Sequence, residues 1–335
     1  MRARTRLWAR RTATIVAVAA AFGAVVSLSS GGDIATGVLA GVLITLAIVG
    51  LEILLQGRWA ATLRRWPIGV LLLVRTTAYG VVFFVVLHTL VALLRWSWDP
   101  ILHPTRLLSN FTLALSFAFT FAINFGLVLM GLLGTRVAAS MLTGRYRRPR
   151  MEERIVLFMD LRGSTQLAER LGDERFHRFL NEVFRDLDDP VLESGGEIYR
   201  YIGDEIIVTW PVQAGARNAG CVECLFAIED ALAAKGKHYL AEFGVEPKLR
   251  AALHAGPLVV GEMGDLKREI VMLGDTMNTA ARIEGACRTM AKDVIASAEA
   301  LSLFPLPAGV SAQSLGVVAL RGKQGAHQLF ALARG

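Results

Sequence analysis

Four long apolar runs, all within the first 134 residues, constrain this chain more than any other feature: Thr12 to Ser29, Ile34 to Leu55, Pro67 to Leu94 and Leu107 to Leu133. Each approaches or exceeds the ~20 residues an α-helix needs to cross the hydrocarbon core of a bilayer. The runs predict four transmembrane helices. A cleavable signal peptide is the competing reading of the first, but that run lacks a small-residue cleavage site and three more follow it.

Charge divides the chain at the same place. Residues 1–134 hold 11 Lys and Arg against 3 Asp and Glu, residues 135–154 hold 6 against 2, and residues 155–335 hold 19 against 24. The overall charge of +7 therefore belongs to the apolar half and the segment after it. Because the soluble half is net acidic, no nucleic-acid partner is expected, and the basic residues read as membrane flanks beside anionic lipid.

The Arg residues also orient the spans. Five precede the first run, Arg58, Arg64 and Arg65 separate the second from the third, and Arg145 to Arg150 follow the fourth. Positive flanks stay on the inside, so both termini and the soluble half are expected on the cytoplasmic side of an inner (plasma) membrane. Arg75, Asn110, Ser116 and Asn124 lie within the runs, where polar groups face other helices or a cavity. His88 and His103 are too few for a membrane dihaem site. In the connecting segment, residues 135–153, Gly144 and the Tyr146-to-Arg150 stretch place a helix end near Pro149. Cys221 and Cys224 form a lone C-x-x-C without a second pair, so they and Cys287 read as reduced, packed thiols.

The second half carries the chemistry. Arg154 to Asp160 (RIVLFMD) reads as a strand ending in a carboxylate, followed by a tight loop with Gly163, Ser164 and Thr165 and then a helix. Such a junction turns backbone N–H groups toward a polyphosphate beside a carboxylate able to hold a bridging metal. Glu197 to Trp210 (EIYRYIGDEIIVTW) reads as a hairpin with Asp204 at its tip. Two carboxylates with phosphate oxygens make the hard oxygen cage that Mg²⁺ or Mn²⁺ requires in nucleotidyl transfer. Beyond two further strands, Lys248 to Ala255 and Ile270 to Leu273, a helix begins after Gly274; Asn278 and Arg282, four apart, project from one face of it. That polar pair suits a ribose and the charge that builds on a pentavalent phosphorus.

In this order the pieces resemble the class III adenylate and guanylate cyclases. The resemblance covers about Glu153 to Leu332 and rests on Leu157–Leu167 (LFMDLRGSTQL), Tyr201–Ile206 (YIGDEI), Leu249–Gly256 (LRAALHAG), Leu273–Glu284 (LGDTMNTAARIE) and Leu320–Phe330 (LRGKQGAHQLF). It implies that Asp160, Asp204 and the Leu161 carbonyl bind two divalent ions per active site. It further implies that Asn278 and Arg282 position ribose and stabilise the transition state, and that Arg250 and Lys323 contact the phosphates. A homodimer is implied as well, one subunit supplying the aspartates and the other Asn278 and Arg282, with further contact expected through the membrane domain. Two positions depart from the family pattern: Arg200 stands where a purine-reading Lys is usual, and Val271 where Asp or Thr is usual. Val271 cannot accept a hydrogen bond from an adenine amino group, whereas Arg200 still donates, in a fork.

The expected architecture is an all-α membrane domain of four helices (1–134), a linker (135–153), and an α/β (α+β) domain with a mostly antiparallel, ferredoxin-like sheet (154–335). The expected reaction converts ATP to cyclic AMP and pyrophosphate by attack of the ribose 3′-oxygen on the α-phosphorus, with no side chain standing out as general base. GTP as an alternative or second substrate, and a catalytically silent nucleotide-binding receptor, are the competing readings. A diguanylate cyclase is disfavoured, because the Ile202-to-Ile206 hairpin lacks that family's first Gly and its Phe.

Overall fold

The computed structural model describes residues 2–29, 33–57, 66–95, 110–320 and 325–335. The chain divides into two compact units, one spanning Thr5–Thr143 and the other containing Gly144–Gly335.

The first unit contains helices α1 (Arg2–Ser29), α2 (Ile34–Gly57), α3 (Ile68–Arg95), α4 (Asn110–Leu133) and α5 (Thr135–Thr143). Of these, α2 and α3 contain stretches, Ile34–Leu54 and Ile68–Leu90, long and apolar enough by length and composition to cross a membrane; the apolar stretches Thr12–Leu28 and Thr120–Met130 are shorter. Small residues set the approach of α1 to α2. A Cβ on Gly37 would meet the Gly23 carbonyl oxygen at 2.3 Å, and one on Gly41 would meet that of Ala19 at 2.3 Å. Such close backbone contact is open only to glycine. Ala40 and Ile44 of α2 pack with Leu90 of α3.

The polar residues of these helices face one another. Asn124 of α4 donates to Thr76 of α3 at 3.0 Å, with both side chains buried. The Tyr79 hydroxyl donates to Glu52 of α2, and Arg75 lies 3.6 Å from the same carboxylate. His88 turns Nδ1 to the Phe84 carbonyl oxygen one turn earlier, at 2.7 Å. The side chains of Asn110 and Ser116, and all of His103, lie outside the described residues.

The second unit runs β1 (Arg150–Leu161), α6 (Ser164–Leu171), α7 (Asp173–Glu193), β2 (Glu197–Ile202), β3 (Glu205–Pro211), α8 (Val212–Gly215), a 3₁₀ turn, α9 (Gly220–Ala234), α10 (Gly236–Phe243), β4 (Leu249–Met263), β5 (Glu269–Leu273), α11 (Asp275–Thr289), β6 (Val294–Ser297), α12 (Ala298–Leu301), β7 (Val310–Ala319) and β8 (Ala326–Arg334). Its sheet has the order β2-β3-β1-β4-β6-β8-β7, with β5 paired to the far end of β4. Every pairing is antiparallel except that of β4 with β6. One face of the sheet packs on α7 and α9 through Ile155, Leu157, Phe179, Leu187 and Trp210; the other packs on α11 through Val156, Phe158, Ala280 and Ile283. With helices on both faces, β1 is buried without alternation from Ile155 to Leu161.

Two boundaries differ from the sequence reading. The helix expected to end near Pro149 stops at Thr143, because Gly144 takes φ 63°, a left-handed conformation that ends a helix. The strand expected from Arg154 begins at Arg150. Its charged start, Arg150 to Arg154, pairs with β4 from Val260 to Gly256, and that pairing holds it extended.

Candidate active site

Asp160 lies one residue before the end of β1 and is itself 4% exposed. Pairing of β1 on both edges sets it opposite Glu205 of β3 and Arg250 of β4. Asp204 reaches it through a two-residue turn: Gly203, at φ 62°, reverses the chain between β2 and β3, as the Gly-Asp pair between two β-rich runs predicts. The two carboxyl groups come within hydrogen-bonding reach of each other. Burial above all, and then the Asp204 carboxyl, push Asp160 above the usual carboxylate range, against the opposing pull of Arg288.

Three residues absent from the sequence reading join this pair. Arg288 of α11 donates to Asp160 at 2.7 Å, closer than Arg250, which lies at 3.9 Å. Glu284, one turn earlier on α11, is 8% exposed, and its Oε1 has no hydrogen-bond partner. Burial, and next the charge of Asp160, push its carboxyl upward. Glu205 is pushed up to about 7, by burial first and then by Glu284, Asp160 and Asp204. Glu284 did leave a trace in the sequence, since a carboxylate falls among the residues Thr276, Ala280, Ile283 and Cys287 that α11 buries. Buried acids of this kind are rare without a partner.

The donor set fits a divalent cation. Neighbouring carboxylates that raise one another, and a buried carboxylate oxygen lacking a donor, are what a hard cation relieves. Asp160, Asp204 and the Leu161 carbonyl would hold it. Among the described residues, no group of three or more His, Cys, Asp or Glu side chains is arranged to enclose a metal by itself.

The loop after Leu161 turns through Gly163 (φ 70°) into α6, whose first N–H groups receive no side-chain cap. Gly163 and Thr165 are exposed and Ser164 half-buried, so the junction is open to a phosphate.

Asn278 and Arg282 share an exposed face of α11. At about 100° per residue, Glu284 lies about 200° round the helix from Arg282. The helix thus sets Glu284 on the side away from Arg282, while Arg288, about 80° round from Asn278, reaches Asp160 of its own chain from the C-terminal end of the helix. Arg200 of β2 donates to Glu269 of β5 at 2.7 Å, and its guanidinium lies 5.3 Å from the centroid of the Tyr199 ring. Val271 is two residues beyond Glu269 on the same strand. Lys323 lies outside the described residues. Cys221, Cys224 and Cys287 are all buried free thiols, and burial pushes each up to about 12.

A largely antiparallel sheet covered by helices, with two aspartates at neighbouring strand ends and a polar helix face turned outward, is the architecture of a class III nucleotide cyclase domain. Residues 147–333 match the family described as the adenylate and guanylate cyclase catalytic domain, and the chain belongs to that family. Adenylate cyclase 2 of Rhizobium meliloti (strain 1021) is 45% identical over 192 residues, covering 57% of this chain and 53% of that protein. The chain thus spans about half the length, or less, of the first curated relatives it matches. Among solved structures, the adenylyl cyclase CyaB from P. aeruginosa superposes with a TM-score of 0.50 at 22% identity, covering 56% of this chain and 97% of that one. A bacterial light-regulated adenylyl cyclase superposes with 0.56 at 20% identity, covering 66% and 65%. At these identities the superpositions establish the fold.

Proposed function

We propose that this chain is a membrane-anchored adenylate cyclase that converts ATP to 3′,5′-cyclic AMP and pyrophosphate at a site shared between two subunits. One observation carries the reading: α11 leaves Asn278 and Arg282 exposed to solvent while Glu284 and Arg288 of the same helix meet the Asp160 of the same chain. A second copy would bring that exposed pair to the first copy's aspartates, completing a site neither copy holds alone. The ATP assignment draws support from the Rhizobium relative named adenylate cyclase 2.

In the assembled site, Asp160, Asp204 and the Leu161 carbonyl would hold the Mg²⁺ or Mn²⁺ ions. When bound, two such ions acidify the ribose 3′-hydroxyl and neutralise the triphosphate. Asn278 orients the ribose. Arg282 offers its guanidinium to the charge developing on the α-phosphoryl oxygens, an electrostatic contribution worth about 3 kcal/mol in comparable sites. Arg250 and the open N–H groups of Gly163, Ser164 and Thr165 receive the phosphates, with Lys323 expected on the triphosphate tail. The four apolar helices anchor the domain to an inner membrane with both termini cytoplasmic, and the basic segment from Arg145 to Arg150 lies beside anionic lipid.

The test is the purified chain with Mg²⁺ or Mn²⁺, given ATP and GTP in separate reactions, with cyclic products measured. Cyclic AMP from ATP is expected, with loss of product in Asp204→Ala. Product from GTP alone would overturn the substrate, and undiminished product from Asp204→Ala would overturn the metal assignment.

A further inference from the structure

We propose that Arg288 is a resident counter-cation of Asp160, displaced when a divalent ion binds there and received by Glu284 one turn earlier on the same helix. This rests on Asp160 and Asp204 being the metal-binding carboxylates.

Two arginines address the same oxygen of Asp160, and they are held differently. Arg250 lies opposite Asp160 in the register of β1 with β4, its side chain 20% exposed and its Nη1 3.9 Å from Oδ2. Arg288 donates to that Oδ2 at 2.7 Å from a side chain that is 62% exposed. The shorter contact thus belongs to the side chain with more room to leave. A guanidinium on Oδ2 takes up lone-pair capacity that a hard cation needs, and two cations on one oxygen repel. The divalent ion carries the larger charge, so it keeps the buried carboxylate and the exposed guanidinium yields.

Glu284 gives that guanidinium a second place. It stands four residues before Arg288 in α11, and this spacing, with the acid first, favours an ion pair along a helix. Glu284 is buried and its Oε1 has no hydrogen-bond partner, a desolvation cost that a donor would remove. Arg288 already lies within the field of both acids: the hydrogen bond and charge of Asp160, then the charge of Glu284, push it upward. Without metal, the guanidinium satisfies Asp160 and leaves Glu284 short of a donor. With metal, the ion satisfies Asp160 and the guanidinium satisfies Glu284. Only the second arrangement pairs both acids.

The experiment titrates Mn²⁺ into the purified full chain without nucleotide and follows free Mn²⁺ by electron paramagnetic resonance, so affinity is read apart from activity. Arg288→Ala removes the competitor and is expected to bind Mn²⁺ about three- to fivefold more tightly than wild type, the scale of one exposed ion pair. Arg288→Met, which keeps most of the stem, is expected to do the same. Arg288→Lys keeps a displaceable cation, and its affinity is expected to stay near that of wild type. Glu284→Gln deprives the displaced guanidinium of its second partner, so it is expected to weaken binding severalfold with Arg288 present and little in Arg288→Ala. Equal weakening in both backgrounds would make Glu284 a ligand or a distant charge and overturn the transfer. Unchanged affinity in both Arg288→Ala and Arg288→Met would overturn the competition. Wild-type Mn²⁺ binding that Asp204→Ala leaves undiminished would overturn the metal assignment itself, and that result is read before any α11 variant is made.

Discussion

Arg288 and Asp160 are 128 residues apart in sequence and 2.7 Å apart in the fold. The contact brings the C-terminal part of α11 against the end of β1 and sets a guanidinium against the carboxylate that burial and Asp204 have raised. In Arg288→Ala, carboxylates remain clustered without that counter-charge, and the metal-free protein is expected to melt at a lower temperature than wild type. Because a divalent cation supplies the same compensation, Mg²⁺ is expected to raise the melting temperature of the variant more than that of wild type. Thermal unfolding with and without Mg²⁺ measures both. An equal Mg²⁺ effect in the two proteins would contradict the prediction.

Asn278 and Asp160 belong to different halves of the proposed composite site. Asp160→Ala and Asn278→Ala are each expected to lose at least about 100-fold in kcat, the scale of removing one charge-stabilising group. Mixed heterodimers retain one intact site, so co-purified, differently tagged subunits are expected to recover activity. No recovery in confirmed heterodimers would count against Asp160 of one subunit and Asn278 of the other serving the same site.

Glu152 joins the segment after Gly144 to β1. Its carboxylate accepts from Arg154 at 2.8 Å, Arg145 at 3.1 Å and the Tyr146 hydroxyl at 2.9 Å. Burial pulls Glu152 upward, but Arg154 and Tyr146 outweigh it and hold the carboxyl below its usual value. Depressed in the fold and ordinary when unfolded, it stabilises at neutral pH and loses that contribution as pH falls through the carboxylate range. Glu152→Gln is expected to lower the melting temperature at neutral pH by up to about 2–4 °C, corresponding to at most about 1 kcal/mol after screening, and by less in acid. A deficit that is constant with pH would remove the carboxylate from the account.

The three cysteines are expected to resist alkylation in the folded protein at mildly alkaline pH, since each thiol is buried and pushed up to about 12. Thiolate is the reacting species, so mass spectrometry should find full labelling only after denaturation. Rapid native labelling of Cys221 or Cys224 would show that α9 opens.

Legibility in the sequence followed the range of the interactions. Gly203 and Asp204 declared a hairpin because the signal sits in two residues between β-rich runs, and Gly274 declared the start of α11 in the same way. The partners of Asp160 beyond Asp204 were not legible. Glu284 and Arg288 reach it only because α11 crosses β1, and Arg200 meets Glu269, 69 residues away in sequence, only because β2 and β5 come together in space. The start of β1 was hidden for another reason: Arg150, Glu152 and Glu153 are poor strand formers, made extended by β4 alone. Among the apolar helices, the Glu52–Arg75–Tyr79 contact links residues on α2 and α3 that no local pattern joins.

The length and burial of β1 have a mechanical consequence. From Arg150 to Asp160 the strand advances ten residues, ~33 Å at ~3.3 Å each. From Ile155 onward it is held by β3 on one edge, β4 on the other and helices on both faces. Close-packed interiors compress very little. A push on the strand at Arg150 is therefore expected to travel along it as far as the buried carboxylate of Asp160. β1 is built like a piston rod, stiff along the length that joins its exposed start to Asp160.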